Sequence, residues 1–213
     1  MNNRKNKYSF AFTLAEVLIT IGIIGVVATF TIPTLMNNIQ DAQYKTAYKK
    51  SYTVLSQALI SADSQDLIIE NTSNADNRAN FITLMGQLKI VKACVGSDIA
   101  QCWDMTGEMG EGAVGGRPYV GLPAFIDASG MAWTQISGST SKFAVDTNGF
   151  KQPNQYGKDR FGFYAYDEKN QIGVGSIPIK VKPFNDNDGN CCFGNVCATQ
   201  NNYYGTSWLM NKK

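Results

Sequence analysis

Histidine is absent from all 213 residues. That removes the commonest general base, the usual serine and cysteine triads, and the imidazole ligands of most transition-metal sites. Paired-carboxylate chemistry remains open in principle, but no acidic pair carries a catalytic motif, so the sequence argues against an enzyme. Two other groups of residues could do chemistry. The run DTNGFKQPNQYGKD offers the oxygens of Asp146, Asn148, Asn154 and Asp159 to a hard cation such as calcium, with Gly149 and Gly157 allowing the loop to bend. It lacks EF-hand spacing, and the alternative is an Asx-rich turn that bonds its own backbone. The five cysteines are Cys94, Cys102, Cys191, Cys192 and Cys197. Their spacing does not suit zinc, and outside the cytoplasm they read as staples. Adjacent cysteines rarely bond to each other, so the expected pairs are Cys94 with Cys102, and Cys197 with Cys192 or Cys191, leaving one thiol free; a bridge between the two groups stays open.

The last chemistry-bearing residue is Glu16, embedded in AFTLAEVLITIGIIGVVATFTIPTLM, residues 11–36. About 24 uncharged residues follow it, and at ~1.5 Å per residue they cover the ~30 Å hydrocarbon core of a bilayer. A secretory signal would have a shorter apolar run ending at a small-residue cut site. An acid one turn inside such a run is costly, and no basic residue stands beside it, so its partner is expected from elsewhere. Pro33 removes a backbone donor and is expected to kink or loosen the helix. Arg4, Lys5 and Lys7 precede the span and Asp41 follows it, which by the positive-inside rule puts the rest of the chain outside the cytoplasm.

A short basic leader, Ala11-Phe12-Thr13-Leu14-Ala15-Glu16, an apolar run and Pro33 together closely resemble the N-terminal signal of type IV prepilins and type II secretion pseudopilins. The resemblance implies that a prepilin peptidase cuts between Ala11 and Phe12 and that the new Phe12 amine is methylated. It also implies that Glu16 supports assembly, and that Gly25 and Pro33 bracket a stretch of helix loosened in filaments. Ala11 stands where glycine is usual and is the smallest replacement for it. The implied fold is α+β and pilin-like: a long N-terminal helix, half transmembrane and half amphipathic, packed on a small antiparallel sheet. Its divisions would be a leader at 1–11, a membrane or filament-core helix at 12–36, and a periplasmic or extracellular head at 37–213. Implied partners are the peptidase, other pilin or pseudopilin subunits and an inner-membrane assembly platform. Pilus, type II secretion and DNA-uptake machines are not separated by sequence, and the rival from another class is a membrane-anchored enzyme or ligand-binding protein. The major pseudopilin holds calcium in a head loop, which adds to the reading of Asp146–Asp159.

The residues beyond the span suffice for one ordinary domain. Net charge is +2 with the basic residues dispersed, so no footprint for nucleic acid stands out. Tyr44, Tyr48, Tyr52, Leu55 and Leu59 share one face of a helix running to about Ala62, opposite a polar face that includes Asp41, Lys45 and Lys49. Residues 63–78 read as a loop, with Leu67-Ile68-Ile69 able to touch the head. Phe81, Leu84, Met85, Leu88 and Val91 follow helical spacing, with Asp76 or Asn77 as caps. Residues 94–118 read as irregular backbone on the surface. Alternating runs at 122–126, 131–136, 143–146, 160–166 and 172–175, separated by Asx and Gly turns, predict an antiparallel meander with a polar outer face.

Overall fold

The computed structural model describes residues 12–69, 74–106, 123–137, 142–155, 158–166 and 180–183. The chain divides into two compact units, Met1–Ala42 and Gln43–Lys213. One helix, α1 (Leu14–Ser64), contributes to both. In the first unit it is long and apolar enough to cross a membrane. Its large apolar side chains, from Leu14 and Leu18 through Ile24 and Phe30 to Met36, are exposed along its length. Four hydroxyls in this stretch are satisfied locally: Thr20 donates to the Val17 carbonyl, Thr29 to Gly25, Thr31 to Val27 and Thr34 to Phe30. A threonine bonded back to its own helix adds no orphan donor to an apolar medium. Pro33 lies inside α1, and the helix continues through it.

In the second unit, α1 buries Tyr48, Ser51, Leu55, Ala58, Leu59 and Ala62 and runs two residues past Ala62; of the expected stripe Tyr48, Leu55 and Leu59 are buried, and Tyr44 and Tyr52 half-buried. A second helix, α2 (Asn74–Gly86), buries Phe81, Leu84 and Met85 in the same core. It starts before Asp76 and Asn77, so neither is its cap. Six strands form one antiparallel sheet in chain order: β1 (Ile90–Cys94), β2 (Ala124–Asp127), β3 (Ala132–Ser137), β4 (Lys142–Asp146), β5 (Arg160–Tyr166) and β6 (Lys180–Pro183). The meander therefore stands, with differences at its edges. Val91 is not on the α2 face but in β1, exposed beside an irregular register step between Ile90 and Lys92. β6 lies beyond the expected strand at 172–175, which is outside the described residues.

The sheet is covered on both faces. On the inner face Phe125, Trp133, Phe143, Val145, Phe161 and Phe163 pack with the helices. Tyr48 meets Phe161 edge-on at 4.9 Å and stacks with Phe163 at 5.8 Å, while Phe81 stacks on Phe143 at 5.4 Å. The outer face does not match the expected polar, open surface: it is buried, and much of it is apolar. Ala124, Ala132 and Ala144 form its floor, buried under Ile99, Cys102 and Trp103. These come from the segment after β1, in which Gly96–Gln101 form a 3-10 helix; the part of the expected irregular stretch from 107 to 118 lies outside the described residues.

Candidate functional site

At the start of α1 the backbone N–H and hydroxyl of Thr13 both donate to Glu16 Oε2, at 2.9 and 3.0 Å. The Glu16 N–H donates back to Thr13 Oγ1 at 3.2 Å. This reciprocal arrangement is a capping box, Thr13 as N-cap and Glu16 three residues on. The acid thus has hydrogen-bond donors within its own chain. The signal was present as Thr13-Leu14-Ala15-Glu16 directly before an apolar run. Phe12, Glu16, Gly25 and Pro33 are all exposed, and Ala11 lies outside the described residues.

The second cluster lies where β4 and β5 meet the segment after β1. Asp146 and Arg160 are directly opposed across the two strands, and Arg160 Nε donates to Asp146 Oδ2 at 2.8 Å with both side chains fully buried. Burial pushes the Asp146 carboxyl up, from 3.8 to about 7, against the pull of the Arg160 hydrogen bond and charge. The rest of the guanidinium reaches over the sheet: Nη2 donates to the Asp104 carbonyl at 2.7 Å and Nη1 to the Thr106 carbonyl at 3.1 Å, while Cζ sits 4.8 Å from the centroid of the Trp103 ring. Asp159 accepts three bonds, from Asn148 Nδ2 and the Asn154 N–H on Oδ2 and from the Gln155 N–H on Oδ1. Asn154, at a φ of +52°, donates to Asp104 Oδ2 at 2.8 Å. Burial works against ionisation of Asp104, but bonds from Thr106 and Asn154 and the Arg160 charge outweigh it and hold this carboxyl below its usual value.

The structure brings Asp146, Asn148, Asn154 and Asp159 together as the sequence suggested, but in the Asx-turn arrangement. Asp146 faces a guanidinium and Asp159 faces N–H donors. Among the described residues no group of three or more acidic, cysteine or histidine side chains is gathered to hold a metal ion. Cys94 and Cys102 are joined in a disulfide, with Cα atoms 5.9 Å apart. Cys191, Cys192 and Cys197 lie outside the described residues.

No family model, curated protein or solved structure matches this chain. Arg160, Trp103 and Asp104 were not singled out by sequence, although Arg160 directly follows Asp159 and opens a strand, and an arginine at an alternating strand position is a sign of a partner across the sheet.

Proposed function

We propose that this chain is a pilin-like structural subunit rather than an enzyme. It enters the inner membrane by α1 with its sheet-bearing unit outside the cytoplasm, is cut before Phe12 and methylated there, and is then drawn by an inner-membrane platform into a filament of like subunits. A pilus subunit and a pseudopilin or minor pilin of a secretion or DNA-uptake machine share this chemistry. The observation that carries the reading is the first unit of α1: apolar on all sides, unburied by its own chain, and opening with a capped acid. Such a surface is stable in lipid or among copies of itself, and heterologous contacts that do not close generate a fibre. Both bonds from Thr13 go to one Glu16 oxygen, Oε2, so Oε1 is the atom that would meet the methylated Phe12 amine of a neighbouring subunit.

Mass spectrometry of the N-terminus tests processing: a chain beginning with N-methylated Phe12 is expected, and recovery of Met1 from cells with an active peptidase would refute it. Assembly is tested with two variants. Glu16→Gln keeps the capping box, which accepts glutamine, and loses the charge; Glu16→Val loses both. Failure of both to enter filaments supports the ionic role, whereas wild-type assembly by Glu16→Gln would reduce Glu16 to a helix cap.

A further inference from the structure

The strap from Val95 to Thr106 is fastened to the outer face of the sheet at both ends. At its start the Cys94–Cys102 disulfide folds it back on β1, where Cys94 stands opposite Ala124 of β2. At its far end Arg160 holds the Asp104 and Thr106 carbonyls and covers the Trp103 ring. Asp104 tightens that end further, accepting from the Thr106 N–H and hydroxyl at 2.7 Å each. Cys94 and Cys102 are only 3% and 0% exposed. A reducing thiolate has to reach a sulfur in line with the bond it displaces, so a bond this deeply covered reacts only when its cover lifts. The cover is the strap, and the strap is held down by Arg160.

We propose that the disulfide and the Arg160 clamp form one redox lock. The strap seats on the sheet only when Cys94–Cys102 is closed, and the seated strap, held by Arg160, then keeps that bond from being reduced. This rests on the head alone and is independent of any filament role. Opening the lock consumes a dithiol. One of its thiolates attacks a protein sulfur to give a mixed disulfide, and the displaced cysteine thiolate takes a proton. The second dithiol sulfur closes on the first and releases the other cysteine, so two electrons and two protons pass to the protein and the dithiol leaves as a cyclic disulfide.

Full-length protein in detergent, exposed to dithiothreitol under native conditions and quenched with iodoacetamide, gives the reduction rate from mass-spectrometric alkylation of Cys94 and Cys102 themselves. Asp104→Ala and Arg160→Lys should each reduce about tenfold faster or more, because each removes charge-assisted bonds that hold the strap. Leu84→Ala, in the core on the opposite face, should leave the rate unchanged. The reverse coupling is read by hydrogen exchange in a Cys94→Ser/Cys102→Ser protein: peptides spanning 95–106 should lose protection while those of α2 keep it. Wild-type reduction rates in both clamp variants would overturn the proposal, as would equal acceleration by Leu84→Ala, which would mean reduction through global unfolding. Undiminished protection of the strap without its disulfide would overturn it too.

Discussion

Replacing Asp146 separates the charge of the buried pair from its hydrogen bond. Asp146→Ala leaves the fully buried Arg160 Nε without the acceptor that sits 2.8 Å away. Removing one partner of a buried pair costs about 3–5 kcal/mol, because the other charge stays desolvated. Each kcal/mol moves the melting temperature of a head this size by about 2–4 °C, so the drop should be on the order of 10 °C. Asp146→Asn keeps an oxygen acceptor for Nε and discards only the negative charge, and it should cost far less. Its effect is seen best in pH dependence. Burial raises the Asp146 pKa from 3.8 in the open chain to about 7 in the fold, despite Arg160. The folded state therefore binds more protons than the unfolded state between those values. The stability this group supplies is full below about pH 4 and is lost as pH rises through about 7. Urea titrations of wild type from pH 4 to 8 should show that decline, and Asp146→Asn should flatten it. The reasoning fails if Asp146→Ala melts within a degree or two of wild type, or if Asp146→Asn keeps the full pH slope.

Three further outcomes follow from local geometry. Gly149 has φ +70°, and a Cβ there would lie 2.9 Å from the Gly130 carbonyl oxygen; Gly149→Ala should lose more stability than Gly130→Ala, which shares the positive φ (+83°) but opens onto empty space, by about 1 kcal/mol or more in urea titrations. Gln135 is fully buried on the helix-facing side, and neither its amide nitrogen nor its oxygen has a partner among the described residues; Gln135→Leu should raise stability by about 1–3 kcal/mol, read from the urea midpoint. Calcium and chelator should give superimposable melting curves for the full-length protein, because the Asp146 and Asp159 carboxylates already serve internal donors; a rise in calcium that Asp159→Ala abolishes would show instead that the loop opens to take the ion.

Much of this architecture could be read from residue order because the signals were periodic. The Tyr48, Leu55 and Leu59 stripe and the Phe81, Leu84 and Met85 face are buried as their 3–4 spacing required. The β-meander followed from alternation and turn residues. What failed was non-local. Val91 continued a helical spacing by coincidence, and only pairing with β2 draws Ile90–Cys94 into a strand. The Asx-rich loop was noticed as a cluster, but its role turned on Arg160 and on Asp104, which lies some fifty residues away in sequence and donates no local pattern. At Glu16 the missing element was local: a capping hydroxyl and N–H stand three residues away, at Thr13.

The buried outer face has a cause that the strand register makes explicit. Cys94, Ala124, Thr134, Ala144 and Gly162 stand opposite one another from β1 to β5, forming a row of small side chains across five strands. The neighbouring row on that face runs Ile126, Ala132, Asp146, Arg160. On the inner face the corresponding rows carry Phe125, Trp133, Val145 and Phe161, then Gln135, Phe143 and Phe163. Alternation in β2 to β4 thus sets bulky inner side chains against mostly small outer ones rather than apolar against polar, so a hydrophobic-in, polar-out pattern does not describe the outer face. Large side chains fill the wide gap to the helices. A floor of alanine and glycine lets the backbone of a short strap approach closely, so that Ile99, Cys102 and Trp103 fill the space above it. A surface that small in side-chain volume offers the strap little to grip by apolar contact alone. The disulfide at one end and the guanidinium at the other supply what the floor does not, and the Asp146–Arg160 pair ends the neighbouring row, beside the small one, where a long side chain can rise to reach the strap.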